Sequence, residues 1–324
     1  MLKRAKIAII GGGNVGSSCA LWAANRELGD IVVVDIPEAE NVVKGKMLDL
    51  LQCSPIELFD TPITAGCDYQ LISGADVVVL TAGVPRKPGM SRDDLIQTNV
   101  KIVRSICEKI KHHAPQAILI VVSNPLDAMV YTAWRTTEFA TSRIVGQAGC
   151  LDVARFKTFI AMETGFSVED INALLLGGHG DDMVPLPRFT NISGIPVTQF
   201  ISSERLDQII ERAKQGGGEI VGLMGTSAYY APASGVIQMV ESIVKDKKRI
   251  LPCAAYCERE YGVSDDDAVG GGYFVGVPCV IGAGGVERVI ELNLTSDEMA
   301  LMHESIRHVK ELVGIVKTTF TDLG

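Results

Sequence analysis

The sequence predicts an α/β protein: a doubly wound parallel sheet in the first half, then an α+β half with antiparallel strands. Three observations predict it. Short, unbroken apolar runs alternate with amphipathic stretches as far as residue 146. A glycine-rich turn directly follows the first of those runs. Beyond residue 147 the alternation gives way to mixed apolar runs and longer helical patterns.

The runs of the first half are Lys6–Ile10, Ile31–Asp35, Asp76–Leu80, Ala117–Ser123 and Arg143–Gly146. They are continuous rather than alternating, as parallel strands covered on both faces require. Helix-like segments lie between them, among them Val15–Leu28 and Asp94–His113. The second half opens with a helical pattern over Leu151–Thr164, which leads to INALLLGGHGDDMVPLP. A polar amphipathic region, Ser203–Gly218, and a helical stretch, Ala233–Val244, come next. RILPCAAY and YFVGVPCVIG suggest antiparallel strands, and Ser296–Thr318 reads as a closing helix. A chain of 324 residues suits two domains, placed at 1–146 and 147–324 and packed tightly, with no repeat and no low-complexity linker.

Composition excludes some function classes. Hydrophobic content of 47% and charged content of 21% are those of a globular protein. A net charge of −9 argues against nucleic acid as a partner, because phosphates need a basic face. No apolar run approaches the roughly 18–20 residues of a membrane span, so no membrane partner is expected. The basic start MLKR and the apolar IAII mimic a signal peptide, but the apolar part is too short and runs straight into the glycine motif. A cytoplasmic, reducing location is expected. Eight cysteines show no framework spacing. Cys253 and Cys257 are an i, i+4 pair that can ligate a metal, yet no His lies nearby in sequence. Buried thiols and no metal are expected.

Gly11-Gly-Gly13-Asn-Val-Gly16 fits G-x-G-x-x-G between a strand-like run and a helix. The first glycine permits a tight turn, and the second lets the backbone approach a pyrophosphate. The third brings helix and strand close, with the helix N-terminus aimed at the phosphates. Asp35 ends the next run and can accept hydrogen bonds from ribose hydroxyls. It repels a 2′-phosphate, which favours NAD over NADP. The alternative is a plain glycine turn with a solvated strand-end Asp.

Of the five histidines, His112 and His113 look like a solvated helix end, and exposure is the default for His303 and His308. His179, in GGHGDD, sits where glycines permit close approach by another group, and an imidazole suits reversible proton transfer to a carbonyl oxygen. A glycine turn with an incidental His is the alternative. Asp152 and Arg155 share one helix face. They form either a local ion pair or a divided machine, Asp152 orienting His179 and Arg155 holding a carboxylate with its planar fork. Asn124 precedes Pro125 at the end of a parallel run, where ligands bind in such sheets. It can bond a cofactor ribose or a substrate oxygen, or simply form a turn. AGVPRKPGMSRD, residues 82–93, places Arg86 and Arg92 six positions apart in a loop, as solvated charges or as hands for an anion.

GGGNVG, VVVDI, TAGVPRKPGMSRDDL, VSNPLD, LDVARF and GGHGDDMVPL occur in that order. Together they resemble the lactate/malate dehydrogenase family, in its lactate-dehydrogenase-like malate dehydrogenase branch, over essentially the whole chain. The resemblance implies reversible NAD-dependent oxidation of (S)-malate to oxaloacetate. It makes His179 the acid/base, Asp152 its partner, Arg155 the clamp on the carboxylate beside the reacting carbon, and Arg92 the group that polarises the carbonyl. Asn124 and Ser227 line the substrate pocket. NAD is held by Gly11, Gly13, Gly16 and Asp35, with Asn14, Val15, Thr81, Ala82, Gly83, Asn99, Val122 and Asn124 alongside. Arg86 stands where the lactate branch typically has Gln and is expected to face the second carboxylate of a dicarboxylate substrate. Pro85, Pro88 and Gly89 fit a closing flap. Cys150 departs from the branch's usual aliphatic residue and raises thiol sensitivity as a question. The family's habit implies a homo-oligomer, a tetramer in preference to a dimer.

Overall fold

The computed structural model describes residues 4–85, 92–180, 182–263 and 272–324. The first half alternates as the apolar runs foretell, with one further, less buried edge strand, β3, that no run marks: β1 (Lys6–Ile10), α1 (Asn14–Asn25), β2 (Asp30–Val34), α2 (Glu40–Glu57), β3 (Ile63–Gly66), β4 (Val77–Leu80), α3 (Arg92–His113), β5 (Ile118–Val121), α4 (Leu126–Thr137) and β6 (Ile144–Gly146). The second half comprises α5 (Gly149–Thr164), β7 (Ile171–Asn172), β8 (Leu175–Gly177), β9 (Met183–Pro185), β10 (Asn191–Ile192), β11 (Ile195–Pro196), α6 (Ser203–Met224), α7 (Tyr230–Val244), β12 (Arg249–Cys257), β13 (Tyr273–Gly282), β14 (Gly285–Val289) and α8 (Ser296–Thr319).

Among the described residues, nine strands join in the order β14-β13-β12-β6-β5-β4-β1-β2-β3. β6 through β3 are parallel, and β12, β13 and β14 are antiparallel. The junction is the pairing of Ala254 with Gly146, so the second half extends the sheet of the first. β4 and β5 are buried at every position, which explains their unbroken Val/Ile/Leu runs. α1 packs with α2 and α7, and α3 packs with α4 and α8, giving a helical layer on each face. A second, smaller core lies outside this sheet, where Phe156 and Ile160 of α5 meet Leu206 and Ile209 of α6.

Some elements exceed what periodicity shows. α4 carries nine buried residues in twelve, Asp127, Thr132 and Thr137 among them, so burial there does not follow residue polarity. α2 contains Gly45 and Pro55, which blur its pattern. α6 runs on past Gly216-Gly217-Gly218 to Met224, although glycine inside a helix costs about 1 kcal/mol relative to Ala. His308 departs from default exposure: it is half-buried and paired with Asp182.

Candidate active site

The turn after β1 is built around its glycines. Gly11 has φ +103°, and a Cβ there would lie 2.8 Å from Thr81 Oγ1. A Cβ at Gly16 would lie 1.8 Å from the Gly11 carbonyl oxygen, so only glycine lets α1 start this close to β1. Around Gly13 there is open space, leaving the backbone approachable from outside. Asp35 binds this turn directly: Oδ2 accepts from Gly12 N at 2.6 Å, and Oδ1 accepts from Ile36 N at 2.8 Å. Gly13 precedes Asn14 and Val15, the first residues of α1, whose N-terminus opens beside the turn.

The chemistry-bearing residues converge from two elements. α5 contributes Asp152 and Arg155, and the β8–β9 connection contributes His179. His179 Nδ1 donates to Asp152 Oδ2 at 2.9 Å, and Arg155 Nη1 donates to Asp152 Oδ1 at 3.1 Å. Asp152 is 2% exposed, whereas the His179 side chain is 23% exposed. The carboxylate is therefore locked behind the ring, while the ring itself is reachable. The ion pair of Asp152 with Arg155 and the orienting of His179 by Asp152 coexist, because one carboxylate serves both partners. The Asp152 charge holds the His179 pKa above the ordinary imidazole range. Burial and Arg155 oppose this, and Asp127 adds to it.

Two cavities lie along the carboxyl edge of the sheet, where α/β folds bind ligands. One, of about 420 Å³, is lined by Val15, Thr81, Gly83, Asn99, Val122, Asn124, Arg155, His179 and Ser227. The other, of about 440 Å³, is lined by Gly11, Asp35, Ala82 and the apolar Val34, Ile36 and Ile102. The glycine turn lies between them. Two pockets bridged by a phosphate-ready turn fit a dinucleotide, with an apolar slot for one base and a polar chamber for the other.

Several expected contact residues are engaged with backbone. Asn99 is 1% exposed. Its Oδ1 accepts from Val84 N at 2.9 Å, and its Nδ2 donates to Asn124 O at 2.6 Å. Thr81 Oγ1 donates to Gly11 O at 3.0 Å. These two residues brace the loops that form the cavity wall. Arg92 is the first residue of α3, and Arg86 lies outside the described residues.

Sequence reasoning missed two features here. Gln147, 4% exposed, lines the chamber, and its Nε2 finds no partner among the described residues. Its only sequence signal is its place just after β6. Gly216 and Gly217 are the second feature: a Cβ at Gly216 would lie 3.1 Å from Arg155 Cδ, so the bare helix surface admits the arginine. The cysteines are all free, six buried and two intermediate, rather than all buried as expected. Cys150 Sγ lies 3.8 Å from Cys253 Sγ, and Cys150, Cys279 and burial push the Cys253 thiol well up, which leaves it unreactive. Among the described residues no group of three or more His, Cys, Asp or Glu side chains is placed to hold a metal.

A dinucleotide-ready sheet edge beside a His–Asp pair and a half-buried arginine fork defines a nicotinamide-dependent oxidoreductase. Residues 5–146 match the lactate/malate dehydrogenase NAD-binding domain, and residues 150–319 match the family's alpha/beta C-terminal domain. The chain belongs to the lactate/malate dehydrogenase family. It is 58% identical to malate dehydrogenase of Rhodopirellula baltica, over 97% of this chain and 98% of that protein. The structure of malate dehydrogenase from Salinibacter ruber is similar, at TM-score 0.90 and 46% identity, covering 98% of this chain and 99% of that one. Lactate dehydrogenase of Cryptosporidium parvum, solved with lactic acid and nicotinamide adenine dinucleotide, has TM-score 0.91 at 36% identity, covering 98% and 99%. Backbone shape therefore does not separate the two activities.

Proposed function

We propose that this chain is a malate dehydrogenase, interconverting (S)-malate and oxaloacetate with NAD. The observation that carries the reading is His179, fixed by buried Asp152 through Nδ1 and opening onto the chamber that Arg155 and Asn124 share. When bound, the cofactor supplies or takes the hydride at the reacting carbon. The Nδ1–Asp152 bond assigns the remaining nitrogen, Nε2, to the substrate. Protonated there, His179 gives its proton to the carbonyl oxygen during reduction; unprotonated, it takes the alcohol proton during oxidation. Arg155 grips the carboxylate next to the reacting carbon, Arg92 polarises the carbonyl, and Arg86 pairs with the distal carboxylate. Asn124 and Ser227 orient the substrate. Asp35 turns from the Gly12 amide toward the adenosine ribose, and the Gly13 turn with the N-terminus of α1 takes the pyrophosphate.

The preference for malate rests on Arg86 and on the names of the nearer relatives. It is tested by the ratio of kcat/KM for oxaloacetate to that for pyruvate, with NADH. A ratio well above 100 is expected; equal efficiencies would overturn the assignment.

Asp152→Asn gives a pH test of the His179 role. Removing the carboxylate charge removes the main force raising the His179 pKa, while burial and Arg155 still lower it. The ionisation is expected to move to lower pH. Reduction, which needs the protonated ring, then fades at lower pH than in the parent. Oxidation, which needs the free ring, sets in at lower pH. Profiles of kcat/KM in both directions read the shift, and an unmoved profile would separate Asp152 from His179.

The division into units at 1–146 and 147–324 belongs to the same reading. So does a homo-oligomer, a tetramer rather than a dimer. Val42, Leu48 and Ile56 of α2, with Val221, Leu223 and Met224 of α6, are exposed and support self-association. A cytoplasmic location accords with free thiols at all eight cysteines. Among the described residues no helix is long and apolar enough to cross a membrane.

A further inference from the structure

We infer that the C-terminal helix α8 is the positioning element of the acid–base loop, gripping it on both sides of His179 through Ser305 and His308. The inference rests on the acid/base reading of His179.

The first grip is buried. Gly178 N, one residue before His179, donates to Ser305 Oγ at 2.7 Å, and Ser305 is 3% exposed. The fit allows no slack. Gly177 has φ +83°, and a Cβ there would lie 2.5 Å from Ser305 Oγ. From the other side β13 closes in, since a Cβ at Gly276 would lie 1.9 Å from the Gly177 carbonyl oxygen. The second grip lies three residues beyond His179. His308 Nδ1 meets Asp182 Oδ1 at 2.6 Å, and His308 Nε2 meets Arg307 Nη2 at 2.9 Å. Arg307 and the carboxylate constrain the ring from opposite sides: Nδ1 carries the hydrogen toward Asp182, and Nε2 accepts from the guanidinium. Arg307 itself is engaged by Glu304 and Glu311.

The helix can act as a fixed jaw because it is anchored independently. Met302, Ile306, Val309, Val313 and Val316 enter the main core. Its N-terminus closes with a capping box of Thr295 and Glu298, and Glu298 also binds Arg188. Without α8, the loop would keep only the short β8–β9 ladder, whose last pair is Gly177 with Met183, the packing of β13 at Gly177 and the His179–Asp152 bond. Two clamps bracketing His179 hold the ring at the spot where Nδ1 reaches Asp152 and Nε2 is left for the substrate. A catalytic group misplaced by about 1 Å can cost on the order of 100-fold in rate, so the clamps act on turnover rather than on cofactor binding.

Three variants of the full chain test this with oxaloacetate and NADH. Ser305→Ala is expected to lower kcat by about 10- to 100-fold with the Kd for NADH unchanged within about twofold. His308→Leu is expected to lower kcat severalfold. His308→Asn, whose amide N–H can replace Nδ1–H toward Asp182, should restore most of that loss. Near-parental kcat in Ser305→Ala and His308→Leu would overturn the clamp. So would a loss of kcat shared with NADH affinity, or an absent Asn rescue, since either outcome marks general structural damage. His179→Asn serves as the control. If it is inactive while the clamp variants turn over normally, only the clamp fails; if it remains active, the acid/base reading fails first.

Discussion

Arg86→Gln is expected to lower kcat/KM for oxaloacetate by about 10²–10⁴-fold while the Kd for NADH stays within about twofold. The magnitude follows from leaving one carboxylate of a dianionic substrate unpaired in a closed chamber, a change that costs roughly 2–5 kcal/mol. A lone carboxylate, already met by Arg155, makes no use of a second guanidinium. Pyruvate should therefore gain, relatively or absolutely, as oxaloacetate loses. Steady-state kinetics with both keto acids and a fluorescence titration with NADH check the prediction together. Weakened NADH binding in place of substrate discrimination would remove Arg86 from the specificity role.

His179→Asn is expected to lower turnover by about 10⁴-fold, the upper range for losing a general acid/base, with folding intact. Asparagine keeps an N–H near the position of Nδ1, so buried Asp152 retains a partner. What disappears is the second nitrogen, the only part of the ring that can exchange a proton with substrate. NADH binding and the thermal midpoint should change little, because the side chain is partly exposed and lies outside the hydrophobic core clusters. Retained turnover would eliminate His179 as the acid/base.

The parallel half of the fold was legible because burial on both faces forces continuous apolar runs, which β1, β2, β4 and β5 supply. The glycine turn was legible for a different reason. Gly11 and Gly16 occupy positions where a Cβ has no room, so sequence and geometry constrain each other there. α4 was not legible, because its buried residues include Asp127, Thr132 and Thr137, so burial there does not follow polarity. In the site, His179, Asp152 and Arg155 could be proposed from residue type and neighbours. Their sharing of one carboxylate could not, since α5 and the β8–β9 connection meet only in three dimensions. Gln147 and Ser305 were silent for the same reason. Each is an uncharged polar residue in ordinary sequence, informative only once its burial and its neighbours are known.

Asp152 has two oxygens, and each faces a different partner, the Arg155 guanidinium and the His179 ring. In the proposed reaction a substrate carboxylate bound at Arg155 competes with Asp152 for the guanidinium and offsets the part of the lowering of the His179 pKa that Arg155 exerts, beside burial. Proton and substrate anion thereby become mutual effectors: each raises the affinity of the site for the other, by the same factor in both directions. A single buried carboxylate between the guanidinium and the ring makes the occupied site a better proton trap than the empty one, so the ring is most fully charged when a carbonyl is there to receive its proton.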